Sequence, residues 1–575
     1  MILQALAELY DVLAEKGTLE QPGWLPVKVS WGLELDAQGN LVRVRPLANV
    51  NAKGKNVPQE MRVPAPAKRT VGIIPNFLCD NATYVFGVDD KGKPKRSKEC
   101  FEAFREKHHA LLDTVDHPAA GALLAFLDAW QPEEAEHCAA LAEYLAEIRQ
   151  NGNIVFYYEG QYLHEISELR QAWQCAFDDT DGCEERVCLV TGKRAPVQII
   201  HPDFKGIPGA QSSGASLVSF NATALESYGC ENAQGMNAPV STSAAFAYGA
   251  ALNYLLKSPM NHMRMGENTV VFWSEDGEDG CSAFVMGLLD SSTMDDKTLQ
   301  DALEKVSRGQ NADWNGMPLE PDNRFYILGL APNAARLSVR FFLCNTFGSM
   351  MKKVQQHQED LRIIKPEFDH DNELSLWWLL RETVNQKSKD KAPHAQMTGD
   401  LLRAILQGTI YPATLFEQVQ LRIRAERKIT RGRAAIIKAY LLRQPNFIHK
   451  EVLTVDLNQE TYQPYLLGRL FAVLESLQEQ ANPGINATIR DKYFSSASAT
   501  PAIVFPTLIR LAQAHLKKLN VGGCIHFDRR IGEIMAQIGT SYPARLNLQD
   551  QGVFQLGYYH QKQANYQKKE DKDNG

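Results

Sequence analysis

RFYILGLAPNAARLSVRFFLCNTFGSMMKKVQQHQ, residues 324–358, is where the chain changes its pattern. Arg324–Leu330 is a short apolar and aromatic run, the length of a buried strand rather than a helix. Ala335–Phe342 reads as a second strand. Phe347–Gln358 then spaces its apolar residues at helical intervals. Upstream, strand-like segments recur. From about Leu376 onward they become rare and helical spacing takes over. This pattern predicts an α+β fold, with a mixed α/β N-terminal body followed by an all-helical C-terminal bundle.

Working outward toward the N-terminus, Thr269–Trp273 reads as a buried strand, Ser241–Leu256 as a helix and Asn153–Tyr158 as a strand. Helical segments dominate Cys100–Gln150. Ile73–Phe86 reads as a buried strand or strand pair. It lies between two basic loops, Asn51–Lys68 and Lys91–Lys98. Val27–Leu35 and Leu41–Arg45 alternate on either side of the turn Asp36–Asn40, as a hairpin does. Residues 1–15 place Leu3, Leu6, Leu9, Val12 and Leu13 on one helical face.

Toward the C-terminus, Leu401–Gln407, Pro412–Glu426 and Gly432–Leu442 read as helices, and Tyr462–Gln480, Thr500–Leu519 and Arg529–Ile538 as longer ones. Tyr462, Tyr465, Leu466, Leu470, Val473, Leu474 and Leu477 form one apolar stripe. Val504, Leu508, Leu511, Leu516 and Leu519 form another. Pro483–Gly484 and Gly522–Gly523 are the expected breaks. The expected division is an α+β domain over residues 1–395, a basic helical connector over 396–454 and a helical bundle over 455–575.

With 575 residues the chain can bury several cores, and its 44% hydrophobic and 22% charged content is that of a folded soluble protein. No run approaches the roughly 18–20 apolar residues of a membrane span. Glu8 and Asp11 interrupt the apolar start, so it reads as an amphipathic helix and not a signal peptide; the expected location is cytoplasmic. Ten cysteines are scattered and make no disulfide framework. Cys175, Cys183 and Cys188 lack the close pairing of a zinc site, so neither metal nor cofactor is expected. The net charge of −7 means that any nucleic-acid contact must use a local basic surface.

His201–Gly229 is the stretch richest in ligand-like features. Gly206, Gly209 and Gly214 free the backbone for φ > 0, and the side chains between them are few and polar: Lys205, Gln211, Ser212 and Ser213. Ser216–Phe220 then alternates as a short strand. Such a loop suits a phosphate or the edge of a base, or is simply a tight turn between strands. It is not a P-loop. Two regions depart from the acidic average. One is residues 41–107, where Lys53, Lys55, Lys91, Lys93, Lys95 and Arg96 sit in the loops flanking Asn76, Asn81 and Tyr84. These are either solvated loops or phosphate contacts, with the amides reading base edges. The other is Arg403–Arg443. There Arg424, Arg427, Arg431 and Lys438 share a face if one helix runs through Gly432, as a phosphate track or as an interface with an acidic protein. Catalytic motifs are missing: no H-E-x-x-H, G-x-S-x-G or Walker A sequence occurs. The expectation is therefore no enzyme. The alternative is a metal-dependent nuclease built on His201, Asp203 and carboxylates gathered by folding.

His201–Ser219, Ser219–Gly229, Asn237–Tyr248, Met1–Tyr10, Asn76–Gly87, Arg336–Arg340 and Gly557–Gln561 resemble, in order and from end to end, the large subunit of type I-C CRISPR Cascade, the Csd family. The resemblance implies a non-catalytic, DNA-binding subunit of an RNA-guided antiviral surveillance complex. Such a subunit recognises the protospacer-adjacent motif, helps open the duplex and stabilises the R-loop. Its implied partners are guide RNA through the complex, double-stranded target DNA, the displaced strand, backbone and guide-end-binding subunits, helical small subunits, and a docked helicase-nuclease that does the cutting. On this footing motif readout falls to Asn76, Asn81, Lys205, Gln211 and Ser212. Residues 455–575 resemble the helical small subunit, which in similar systems starts internally. No Met lies between Met397 and Met535, so a start at Val452, Val455 or Leu457 would use a non-AUG codon. Lys492, Arg510, Lys517, Lys518, Arg529 and Arg530 are the single-strand candidates there.

Overall fold

The computed structural model describes residues 1–19, 21–50, 56–67, 69, 72–89, 93–150, 152–178, 184–220, 222–230, 233–289, 296–371, 373–388, 393–447 and 461–566. The chain forms two compact units. One comprises Met1–Gly206, Ala210–Tyr254 and Ala334–Arg336; the other comprises Ile207–Gly209, Leu255–Asn333 and Leu337–Gly575. The α+β class is as the sequence predicts.

In the first unit the predicted hairpin forms: Trp31↔Pro46 through Leu35↔Leu41 pair antiparallel. The Asp36 carboxylate closes its turn by accepting the backbone N–H groups of Gln38 and Asn40. The strand Trp24–Leu35 is longer than its alternating core. Its first half pairs antiparallel with Asn56–Pro64, and its second half pairs parallel with Asn153–Tyr158. Leu33, Leu35, Ile154 and Phe156 pack with Phe101, Phe104, Phe126 and Trp173 from the helices Pro94–Leu112, Pro118–Ala129 and Ser167–Asp178. The helix Ile2–Glu15 buries Leu6, Leu9 and Leu13 of the predicted face, with Leu3 and Val12 at its margins.

Three expectations change here. Residues 56–64 form a strand, not a loop, because Met61 and Val63 are buried while Glu60 and Arg62 face out, at period two. The second basic loop is helical from Pro94 onward; proline's fixed φ suits the first helical position. Ile73–Phe86 contains only the short strand Cys79–Asn81, followed by the helix Ala82–Val85. Phe77 and Leu78 are both fully buried, as a buried strand would have them, but the backbone is not extended there. Leu78 instead takes φ +55°, and its N–H donates to Nε2 of His108.

In the second unit, His262–Met265, Asn268–Ser274 and Arg324–Asn333 pair antiparallel in that order, with Arg336–Thr346 beside the last. Every residue of Asn268–Ser274 is buried. Among the described residues no strand follows Thr346. Helices run instead: Ala395–Gln407, Ala413–Glu426, Arg431–Arg443, Gln463–Ala481, Ile489–Ala499, Pro501–Leu516, Val521–Ile538 and Leu548–Tyr566. The stripe from Tyr465 to Leu477 is buried, but so is most of the rest of Gln463–Ala481, which makes it the central helix. It lies tightly against Leu548–Tyr566. A Cβ on Gly468 would stand 1.9 Å from the Phe554 carbonyl oxygen, and one on Gly557 would stand 2.1 Å from that of Tyr465.

Leu511 of the second stripe is exposed, while Val504, Leu508 and Leu516 are buried. Gly522 and Gly523 do not break the chain; they lie in the first turn of Val521–Ile538, where the Asn520 side chain accepts the Gly523 N–H. The arginine-rich run is not one helix: Ala413–Glu426 ends at Arg427, φ +54°, and a new helix starts at Arg431. Arg424 and Arg427 therefore share no helical face with Arg431 and Lys438. Among the described residues, no helix is long and apolar enough to cross a membrane.

Candidate nucleic-acid interface

Asp203–Phe204 and Ala215–Ser216 pair antiparallel, so the glycine-rich stretch is the loop of a hairpin. The predicted strand over Ser216–Phe220 shrinks to Ala215–Ser216. Gly206, Gly209 and Gly214 all take positive φ, at +87°, +85° and +122°. Gly214 is required twice over, since a Cβ there would also lie 2.8 Å from Asp203 Cβ. The Gly214 N–H donates to the Gln211 carbonyl, and the Gln211 N–H to that of Ala334. These bonds fix the backbone and leave the Lys205, Gln211, Ser212 and Ser213 side chains exposed.

Beside the hairpin is a cleft of about 310 Å³, lined among others by His201, Asp203, Gln211, Ser213, Ser219 and Gln234. Its floor is held by polar pairs. Ser216 Oγ donates to Asp203, and the Tyr248 hydroxyl shares a 2.7 Å hydrogen bond with Nδ1 of the buried His201. Burial raises the Tyr248 phenol well above its ordinary range, so it stays protonated. With a carboxylate in its wall and amides and hydroxyls around its mouth, the cleft suits hydrogen-bonding base edges better than a phosphate. Downstream, Asn237 clamps a loop. Its Oδ1 accepts the Ser227 N–H at 2.6 Å, and its Nδ2 donates to the carbonyls of Cys230 and Gln234. Tyr228, on that loop, is fully exposed. The sequence reading passed over Tyr228; its one signal was an aromatic residue beside glycine in a segment without periodicity.

The other predicted site residues separate. Asn76 is buried; its Oδ1 accepts the Ala67 N–H, and its own N–H donates to Asp80. Asn81 caps the helix Ala82–Val85 through the Thr83 N–H. Asp80, which sequence reasoning left aside, organises this corner: its carboxylate is paired with Arg69 and accepts the N–H groups of Asn76 and Asn81. Both amides are thus committed to the fold, and only the half-buried Asn81 reaches the surface at all. Lys93, Lys95 and Arg96 are exposed at the N-terminal end of Pro94–Leu112; Lys53, Lys55 and Lys91 lie outside the described residues.

In the second unit, Arg424 donates to Gln551, Arg431 is buried against Asp369, and Lys438 donates to the Arg362 carbonyl. Arg427 remains half exposed, 3.9 Å from Asp491. Lys492, Arg510, Lys517, Lys518 and Arg529 are exposed, while the partly buried Arg530 donates to Asn565. Val452, Val455 and Leu457 lie outside the described residues.

Among the described residues no three His, Cys, Asp or Glu side chains are grouped to hold a metal ion. His201 and Asp203 thus belong to no such group among the described residues, and such a group is what the nuclease alternative requires. Cys175 is exposed, Cys183 lies outside the described residues, and Cys188 is buried, its sulfur accepting the Val190 and Ser241 N–H groups. Burial alone would raise the Cys188 thiol, but hydrogen bonds from Ser241 and Thr191 outweigh it and hold the thiol at about 7.

No curated protein matches the chain. The family model of the CRISPR-associated protein Cas_Csd1 matches residues 6–566, nearly the whole length. The chain therefore belongs to the Cas_Csd1 family of CRISPR-associated proteins and is a Cascade subunit of the type I-C large-subunit kind.

Proposed function

We propose that this Cascade subunit recognises the protospacer-adjacent motif with the hairpin 205–214 and the cleft beside it, then helps open the duplex and stabilise the R-loop. The observation that carries the reading is a loop with a fixed backbone and free polar side chains, set at a cleft of base-edge chemistry. Lys205, Gln211 and Ser212 do the reading. Asn81 contributes from the surface, and Asn76 acts by holding its loop. Lys93, Lys95 and Arg96, together with Lys53, Lys55 and Lys91, hold the phosphates. Cations at the positive end of the helix Pro94–Leu112 weaken that helix on its own, and a phosphate placed there reverses the sign. Arg424, Arg427, Arg431 and Lys438 mark the connector, and residues 455–575 act as the small-subunit-like bundle that follows the displaced strand and offers a docking surface to the helicase-nuclease.

The test is duplex binding by the full chain in its complex. Alanine at Lys205, Gln211 or Ser212 costs about 1–3 kcal/mol on the correct motif and much less on a scrambled one. Equal losses on both would reduce these residues to backbone contacts. Alanine at Lys93, Lys95 and Arg96 weakens all sequences alike and flattens the salt dependence.

A further inference from the structure

The turn that interrupts the arginine-rich run borders a cleft of about 590 Å³ in the second unit, lined by Lys365, Phe368, Asp369, Trp378, Lys428 and Tyr559 among others. That volume lies within the roughly 300–1,000 Å³ of small-ligand sites. Its walls are fixed. Arg431 pairs with Asp369 at 3.1 Å and donates to the Asp371 carbonyl at 2.6 Å, while Arg433 pairs with Glu382 at 3.1 Å. These pairs neutralise two of the three carboxylates that line the cleft. Tyr559 commits its hydroxyl to the Ile364 carbonyl at 2.8 Å, so its polar end is already satisfied. Phe368, in contrast, is 82% exposed on the turn that follows Pro366. An aromatic ring left in water at the mouth of a cleft, with the exposed ammonium of Lys428 on the same cleft, has the composition of a stacking platform with an adjoining phosphate contact.

We propose that this cleft receives an unstacked base of a single-stranded nucleic acid, with Phe368 against the base and Lys428 on the neighbouring phosphate. The inference rests on the reading that the chain works on DNA, but it concerns a different part of the molecule from the motif-reading hairpin. Because every base has a π-face, the site is indifferent to sequence.

The experiment measures labelled oligo-dT and duplex DNA binding by the full chain, as wild type, Phe368→Ala, Phe368→Trp and Lys428→Ala. Phe368→Ala should weaken oligo-dT binding by about tenfold, and Phe368→Trp should restore it. Lys428→Ala should weaken it less and lower the salt slope by about 0.7, the share of one phosphate on a single strand. A photo-reactive benzoylphenylalanine at position 368, in the assembled complex with target DNA, should form adducts with nucleic acid. Equal oligo-dT binding by wild type and Phe368→Ala overturns the cleft, and so do adducts with protein alone; if motif-dependent duplex binding persists, the hairpin reading stands. Failure of the wild type to bind either DNA overturns both. Melting curves confirm that the exposed substitutions leave the fold intact.

Discussion

At Asn76–Val85 and Ser227–Asn237 of the first unit, side chains hold the backbone. Asp80 accepts two N–H groups and pairs with a guanidinium, and Asn237 accepts one N–H and donates to two carbonyls. In the helices of the second unit most backbone groups pair within their own helix, and polar side chains act at helix ends, as Asn520 does on the Gly523 N–H, or between helices, as Gln420 and Gln555 do. The difference matters for function. A pinned irregular loop can expose a chosen set of polar side chains, because its backbone needs no help from them. A helix presents whatever its period dictates.

The sharpest way to break this comparison is at the crossing of Gln463–Ala481 with Leu548–Tyr566. Gly468→Ala or Gly557→Ala forces two helix backbones apart, because the new Cβ meets a carbonyl oxygen that cannot move alone. The expected loss is about 3–4 kcal/mol, read from the urea midpoint. Gly532→Ala is the control. It lies in the helix Val521–Ile538 with nothing within 4 Å of the added Cβ, and should stabilise by up to about 1 kcal/mol. Equal responses at the two kinds of site would mean that packing does not govern this half.

The first unit's counterpart is Asp80→Ala. Removing a carboxylate that is 1% exposed leaves Arg69 without its anion and two N–H groups without an acceptor. The expected loss is about 3 kcal/mol, with the duplex affinity falling alongside. Asp80→Asn keeps the shape and should recover part of it. If Asp80→Ala melts like the wild type, the pinning argument fails.

These sites also show what the sequence makes legible. In the helical half the helix over 463–481 is legible, since the stripe from Tyr465 to Leu477 follows one period and is buried, but the helix over 521–538 starts eight residues before the predicted Arg529, and Ile489–Ala499 has no counterpart in the sequence reading. Leu548–Tyr566 escaped because its buried face uses glutamines. Gln555 exchanges two hydrogen bonds with Gln420, and Gln561 accepts from Arg469, which no apolar period reports. In the first unit the hairpin and the glycine φ values were readable from turn chemistry. The placement of Asn76 was not, because its partner N–H is at Ala67 and its local order depends on Asp80. An exposed amide and a buried one look alike in a sequence. The cleft at Phe368 was likewise invisible, since its walls come from four separated segments.

A pH series sharpens the comparison further. His108 is buried, its Nδ1 bonded to the Phe104 carbonyl while Nε2 accepts the Leu78 N–H, an arrangement that only a neutral ring can make. Burial accordingly holds it at about 3, against about 6.5 in an unfolded chain. The unfolded state then binds more protons below about pH 6.5, so stability falls as the pH drops, by about 2 kcal/mol for this residue at pH 5. His357 at about 3 and His560 at about 4 have the same sign in the second unit. His108→Gln should lower stability at pH 7.5 and flatten its decline between pH 6.5 and 5 by about 2 kcal/mol, the share of this one residue; an unchanged slope would contradict it.

The smallest effect, and the most specific, belongs to Asn237→Ala. The side chain is part-buried and exposed water can replace some of its three hydrogen bonds, so the stability loss should be about 1 kcal/mol. The loop it clamps carries the fully exposed Tyr228, and Gln234 beside it lines the hairpin cleft. Releasing the clamp therefore makes binding pay the ordering entropy that the fold now supplies in advance. The expected signature is a loss of affinity for the correct motif with little change in melting temperature and none in the salt slope, because no cation is removed. Asn237→Asp tests the geometry: it keeps the acceptor for the Ser227 N–H but cannot donate to Cys230 and Gln234, and should fall between the wild type and alanine. Melting and motif discrimination that drop together would mean Asn237 serves the core of the unit, and that the first unit is held no differently from the second.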